Sequence, residues 1–282
     1  MPDPSSQFAG ASTAVEVTGR HGVAQYRRTW AAETPHANAL ILHGVAEHSG
    51  RYEHVGATLA KAGISALAYD SYGHGRSGGR RGHADSMDVL LDDVEDNLAE
   101  LREDGLPVIL LGHSLGGLWA FTYCVSGRPA PDVLLLSGPA LGAEVPAWQR
   151  IAAPILGRVV PKFFVKTDFE GGLLSVDPDV GTAYIDDPLR VRGQTAGLGL
   201  AAFSAMKMSN ERLETLSVPT MVFHGENDRI VPAHYTEPIG DLAIATRQVL
   251  PGLEHEVLNE ASWEQTMLSF INFANETIGH TP

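Results

Sequence analysis

Short, continuous apolar runs alternate along this chain with stretches in which apolar residues recur at helical spacing. Ala39 to Leu42, Ile64 to Tyr69, Val108 to Leu111, Val133 to Leu136 and Thr220 to Phe223 have the look of strands buried on both faces. Between them the spacing predicts amphipathic helices. Tyr52, Val55, Leu59 and Ala60 share one stripe, with Gly63 as a stop signal. Met87, Leu90, Leu91, Val94, Leu98 and Leu101 share another, opposite a solvated face of Asp88, Asp92, Asp93, Asp96 and Glu103. Trp263, Met267, Phe270, Ile271 and Ala274 predict a last helix, which Ser262 and Gln265 would open as a capping box. Ahead of these, Thr13 to Thr18 and Val23 to Trp30 flank Gly19, Arg20, His21 and Gly22, which reads as a hairpin. The expectation is an α/β fold: a mostly parallel central sheet flanked by helices, with antiparallel strands at one edge.

One stretch breaks the rhythm. Roughly eighty residues lie between Ser137 and Pro219, far more than a plain connection needs. They carry apolar clusters at Trp148, Ile151, Ile155 and Leu156, then at Val159, Val160, Phe163, Phe164 and Val165. We expect an inserted cap subdomain at 140–212 over a core formed by 1–139 and 213–282. The cap's apolar residues could pack inward or make transient contact with a membrane or micelle surface. Pro154 and Pro161 argue against one long interfacial helix, so inward packing is expected.

Charge and cysteine content narrow the partners. A net charge of -14 repels phosphate backbones, so nucleic acid is not an expected partner. A single cysteine, Cys124, rules out an intrachain disulfide and any dependence on an oxidising compartment. Met1 to Gly10 show neither a basic nor an apolar leader region, and no apolar run approaches the ~20 residues of a membrane span. A cytoplasmic protein, peripheral at membranes if the cap touches them, is the expectation.

The candidate chemistry begins at Gly112-His113-Ser114-Leu115-Gly116. An apolar strand runs straight into it and a helical pattern follows. That context would hold the Ser114 hydroxyl out on a sharp strand-to-helix corner, near a helix N-terminus. A serine needs a base, and the base an orienting acid, which in this arrangement follow in the order acid, then histidine. Thr220 to Asp228 supplies strand, turn and carboxylate: Asp228 is preferred and Glu226 is the rival. Gln248 to His255 supplies the last strand and the histidine; His234 and His280 are the poorer choices by position. The oxyanion donors would be the backbone N–H of Leu115 and that of Val45, in the loop after Ala39 to Leu42. His43 is expected to shape that loop, not to react.

Two other patterns carry less. Gly73-His74-Gly75-Arg76-Ser77-Gly78 matches a dinucleotide fingerprint literally, but no helix opens at its last glycine. The bland reading, a tight loop held by Asp70 and Ser77, is preferred. His255-Glu256-Val257-Leu258-Asn259 is half a zinc motif without its second histidine, so no metal site is expected.

With these residues placed, the chain resembles the monoacylglycerol lipase and lysophospholipase-like branch of the α/β-hydrolases, which are serine hydrolases. The resemblance runs through His43 to Tyr52, Asp70 to Ser77, Gly112 to Gly117, Asp177-Pro178, Asp187-Pro188-Leu189, His224 to Asp228 and Leu250 to Glu260. It implies the α/β-hydrolase fold, no cofactor, and a cap forming an apolar acyl tunnel. It also implies Glu47, Arg51 and Tyr52 as supports of the oxyanion loop. Tyr184 is either a contact to a small alcohol headgroup or a packed cap aromatic. Two departures stand out. Ala46 replaces a frequent glycine, which should restrict the loop. Glu254 precedes the histidine, where its carboxylate would raise the His255 pKa. The implied function is hydrolysis of a small-molecule lipid ester, a monoacylglycerol, through an acyl-enzyme. The alternatives are a short-chain carboxylesterase, a lysophospholipase or a non-catalytic small-ligand receptor on the same fold. A peptidase fits less well, because no carboxylate pair is evident to hold a substrate amino group.

Overall fold

The computed structural model describes residues 8, 11–145, 153, 155–167 and 169–280. Trp148, Ile151 and Pro154, and the leader reading of Met1 to Gly10 apart from Phe8, fall outside the described residues.

Ten strands are described: β1 (Thr13–Thr18), β2 (Ala24–Trp30), β3 (Ala37–Leu42), β4 (Ile64–Tyr69), β5 (Val108–His113), β6 (Val133–Ser137), β7 (Phe164–Val165), β8 (Gln194–Thr195), β9 (Thr220–Gly225) and β10 (Ala245–Leu250). Eight form one sheet in the order β1-β2-β4-β3-β5-β6-β9-β10. The strands from β4 to β10 in that order run parallel. The β1–β2 hairpin joins antiparallel, through β2 against β4. The main helices are α1 (Glu53–Lys61), α2 (Met87–Leu101), α3 (Leu115–Val125), α4 (Pro178–Asp186), α5 (Ala196–Glu211) and α6 (Trp263–Thr277).

The continuous apolar runs become strands buried on both faces, as parallel central strands must be. One face carries an apolar cluster shared with α2 and α3, including Leu91, Leu98, Leu118 and Phe121. The other packs Val55 and Leu59 of α1 and Met267 and Phe270 of α6 against Ile41, Ile109 and Phe223. Leu198, Ala201 and Ala205 of α5 join the first cluster, so this helix of the insertion is packed as part of the core layer.

The strand order reverses at β3. The chain moves outward to β4, then returns to lay β5 on the other side, with Leu42 opposite Gly112. The loops after β3 and β5 therefore lie side by side at the carboxyl ends of the strands, where open α/β sheets bind ligands.

Two expectations need correction. Ser262 makes no side-chain cap, and α6 instead follows a turn closed by Trp263 N–H to the Glu260 carbonyl at 2.9 Å. The described residues of the apolar clusters at 155–165 do not pack inward: Ile155, Val159 and Phe163 are 56, 72 and 56 % exposed, and Leu156, Val160, Phe164 and Val165 are exposed as well. The physical reason is size. Strands β7 and β8 are two residues each and pair only Phe164 with Thr195 and Val165 with Gln194, too small a sheet to cover both of its faces. Among the described residues no helix is long and apolar enough to cross a membrane.

Candidate active site

Ser114 stands between β5 and α3 with φ 52° and ψ −117°, a left-handed conformation that costs a non-glycine residue about 1–3 kcal/mol. Its surroundings hold it there. Ser114 N–H donates to the Ser137 carbonyl at 3.0 Å, and its own carbonyl accepts from Leu118 and Ala140 at 3.0 and 2.9 Å. The corner closes tightly because of its glycines: a Cβ on Gly116 would come within 2.3 Å of the Leu42 carbonyl oxygen. Leu115 is the first residue of α3, so the helix leaves its N–H without an intrahelical partner.

Asp228 follows β9 and His255 follows β10. The two segments meet because Gly225 lets the later loop cross it; a Cβ there would lie 1.9 Å from the Glu254 carbonyl oxygen. Asn227 N–H also donates to the Leu253 carbonyl at 2.9 Å. The result is a 2.6 Å hydrogen bond from His255 Nδ1 to Asp228 Oδ2. The other oxygen of Asp228 accepts the N–H groups of Ile230 and Val231 at 2.9 and 2.8 Å. Glu226, the rival acid, turns away and accepts Gly252 N–H at 3.0 Å. Ser114 and His255 line the same small cavity of about 20 Å3. Among the described residues no hydrogen bond joins them, a looseness common before substrate binds.

The protonation states separate His255 from the other buried histidines. Burial pushes His54 and His113 down to about 4 and His74 to about 3. Burial also opposes the charged form of His255, but the Asp228 carboxylate, with Glu256 and Glu47 behind it, outweighs it and raises the pKa. Asp228 is itself buried, yet His255, His224 and the Val231 N–H hold it well below the usual carboxylate range. The Glu254 carboxylate accepts from Arg229 at 3.1 Å, while the carboxylates that raise His255 most are Asp228, Glu256 and Glu47.

The loop after β3 is anchored by charge. Glu47 accepts from Gly44 N–H at 2.6 Å and from the Tyr52 hydroxyl at 2.8 Å. Arg51 bonds Glu47 at 3.0 Å and Glu256 at 2.6 and 2.8 Å. All four side chains are buried, so this network ties the loop carrying Val45 to the segment carrying His255. His43 donates from Nδ1 to the Gly44 carbonyl and accepts Ser71 N–H at Nε2, the shaping role expected of it. Ala46 adopts φ 69°, so the loop takes a glycine-like conformation without the glycine. It packs with Leu174 and Tyr184 of the insertion. Tyr184 is buried, its ring 5.2 Å from the Arg51 guanidinium and 4.6 Å from that of Arg190, and its hydroxyl has no hydrogen-bond partner among the described residues. It also lines the small cavity, so packing and a cavity-facing position coexist.

A larger cavity of about 350 Å3 opens beside Ser114, lined by Val45, Leu115 and mostly apolar residues of the insertion. The glycine-rich loop at 73–78 is held as the bland reading has it: Asp70 accepts Arg76 N–H at 2.7 Å and Ser77 bonds back to Asp70. The next helix begins only at Met87. No cluster of metal ligands occurs among the described residues.

Two residues were missed from the sequence. His224 Nε2 lies 3.0 Å from Asp228 Oδ2 and 2.7 Å from the Val231 carbonyl, so it donates to the same oxygen that orients His255. Its place at the end of β9, four residues before the acid, was the available signal. Glu260 is fully buried and accepts from Ser175 and from the Glu254 N–H, tying the insertion to the loop of His255. Nothing in the sequence distinguished it from a surface acid.

A family profile described as serine aminopeptidase S33 matches residues 33–262. A monoacylglycerol lipase of Mycolicibacterium smegmatis is 34% identical over 251 residues, covering 86% of this chain and 89% of that one. A phospholipase of Bacillus subtilis is 28% identical over 258 residues, covering 89% and 99%. The crystal structure of a monoacylglycerol lipase from Paleococcus ferrophilus superposes with a TM-score of 0.82 at 28% identity, covering 91% and 99%. The chain therefore belongs to the serine aminopeptidase S33 family of α/β-hydrolases, in its branch of monoacylglycerol lipase-like serine ester hydrolases.

Proposed function

We propose that the protein hydrolyses monoacylglycerols to fatty acid and glycerol through an acyl-enzyme on Ser114. His255 takes the Ser114 proton as the hydroxyl attacks the ester carbonyl, and Asp228 orients the ring and stabilises the imidazolium. The Val45 and Leu115 N–H groups hold the oxyanion. His255 then protonates the departing glycerol oxygen, and water repeats the sequence to release the acid. Residues 1–139 and 213–282 act as the catalytic core, with 140–212 as the cap that covers it. The carrying observation is the paired Asp228 and His255 beside a strained Ser114 that borders a largely apolar cavity. Tyr184 lines the smaller cavity, which supports a contact to the glycerol headgroup.

The chemistry of the cavities favours an ester over a peptide amine. Glu47 and Glu256 are already engaged by Arg51, and the carboxylate described in the larger cavity, Glu144, is exposed. The phospholipase relative makes a lysophospholipid the second substrate to try. The exposed cap edge supports transient contact with lipid surfaces: Arg158, Lys162 and Lys166 stand among its apolar residues, with no acid from 155 to 166. The free, buried Cys124 fits a cytoplasmic enzyme that visits such surfaces.

The test is product release from a monoacylglycerol series beside a matched lysophospholipid and short esters. Fatty acid and glycerol should be released from the monoacylglycerols, and Ser114→Ala should lower kcat by about 10⁶. Turnover of short esters alone would replace this reading with a general esterase. No Ser114-dependent turnover would point to a ligand receptor.

A further inference from the structure

A glycine inside a helix weakens it relative to alanine and calls for a reason. Helix α5 contains two near its start, Gly197 and Gly199. Gly197 has a packing reason: a Cβ there would lie 2.9 Å from the His83 ring, 3.0 Å from the Ala84 carbonyl and 3.1 Å from the Pro161 carbonyl. Gly199 has none. Among the described residues, the single atom a Cβ there would meet within 4 Å is the Gln194 amide nitrogen, at 3.8 Å. Yet Gly199 lines the 350 Å3 cavity beside Ser114, and so do Ala202, Phe203 and Met206 of the same helix. These four are spaced as one helical face, so the missing side chain of Gly199 belongs to the face turned toward the cavity.

We propose that Gly199 is a specificity-determining position: by leaving space on the cavity-facing side of α5, it sets how long an acyl chain the enzyme accepts. The proposal rests on the ester-hydrolase reading and adds to it the residue that limits chain length. A close-packed wall admits a chain only where it leaves volume. Filling that volume from α5 removes room for the acyl chain, whereas a side chain that reached the reacting carbonyl would slow every ester alike. A leucine at this position would displace about four carbons of chain, because a cavity holds one occupant at a time.

The test compares wild type, Gly199→Ala and Gly199→Leu on monoacylglycerols from butanoyl to palmitoyl. The readout is the palmitoyl-to-butanoyl ratio of kcat/KM. Gly199→Leu should lower that ratio by about tenfold or more, with Gly199→Ala between it and wild type. A ratio unchanged within about twofold, whatever the absolute rates, overturns the proposal, because uniform loss marks a merely structural effect. Both substitutions raise helix propensity, so melting temperatures should not fall. A second measurement separates this idea from the catalytic reading. Saturated fatty acids of the same lengths are titrated into Ser114→Ala with and without Gly199→Leu. A shift of the preferred length toward shorter acids supports the proposal even if no ester is turned over; unchanged preference overturns it.

Discussion

The two sides of the site are built on different principles. The sheet side is fixed by buried polar contacts: four donors converge on Asp228, and Arg51 clamps two carboxylates in the interior. The cap side is apolar, opens to a cavity and leaves Val159 and Phe163 largely exposed. Chemistry needs groups held to a fraction of an ångström, whereas a lipid chain needs volume and no direction. The comparison predicts that single changes on the sheet side act on rate and stability together, and that changes at the cap edge act on neither.

The largest effect should come from Asp228→Asn. The asparagine keeps the shape but can present an N–H to His255 and favour the wrong tautomer, so kcat should fall by about 10⁴. Steady-state kinetics on any turned-over ester checks this. A loss under about tenfold would show that Glu226 or another acid can serve.

Arg51→Met comes next. It strands Glu47 and Glu256, both buried, without their cation, and breaking a buried pair in this way costs about 3–5 kcal/mol. Urea unfolding of the variant should show a midpoint lowered by a corresponding amount. Activity should fall as well, because Glu47 positions Gly44 of the oxyanion loop.

The pH profile sharpens the comparison within the sheet side. His255 must be neutral to take the serine proton, and its pKa is raised, so the acidic limb of kcat/KM should lie above the ordinary histidine value of about 6.5. The fold gains stability from the His255–Asp228 pair below that ordinary value and loses it as pH rises through the raised pKa, opposite to activity. The carboxylates that act most strongly on His255 are Asp228, Glu256 and Glu47, and the neighbouring His113 is neutral. Glu254→Gln should therefore leave the limb in place. A limb that moves with Glu254 would restore the role first expected of that residue.

How much of this was legible in the sequence divides along the same line. The strands before Ser114 and Asp228 were readable because parallel central strands are apolar on both faces; β10, before His255, is a half-buried edge strand, and there chain order and position selected the base. The pairing of Glu47 with Arg51 and Glu256 was only half readable. The first two are four residues apart, but Glu256 is 205 residues from Arg51 and meets it through the strand order alone. Burial of Glu260 was invisible for the same reason, whereas His224 stands only four residues before Asp228 and its position was the signal overlooked. On the cap side the apolar pattern was seen and its destination misjudged, because an apolar residue carries no mark of whether its face finds a partner.

Ala46 tests the border between the two sides. Its left-handed backbone costs about 1–2 kcal/mol relative to glycine. Against that stand about 0.8 kcal/mol for its buried methyl group and about 0.4–1 kcal/mol for the freedom a glycine adds to the unfolded chain. The terms nearly cancel, so Ala46→Gly should change stability by less than about 1 kcal/mol in urea unfolding. A gain well beyond that would mean the contact with Leu174 and Tyr184 contributes little.

The smallest effect belongs to the cap edge. Val159 is 72% exposed. Fully burying a valine is worth about 1.5–3 kcal/mol, and an exposed one forgoes most of that, so Val159→Ser should move stability by no more than about 0.5 kcal/mol. The same variant should also leave turnover of a soluble short ester unchanged, since Val159 touches neither cavity. What it should lose is attachment to vesicles in flotation, because the apolar residue that would enter the lipid surface is gone while Arg158 and Lys162 remain. Flotation that falls at constant stability assigns the exposed face to lipid. A stability loss well above 0.5 kcal/mol would instead mean that Val159 is packed in solution, and the contrast between a rigid sheet side and an unsupported cap edge would fail at its plainest point.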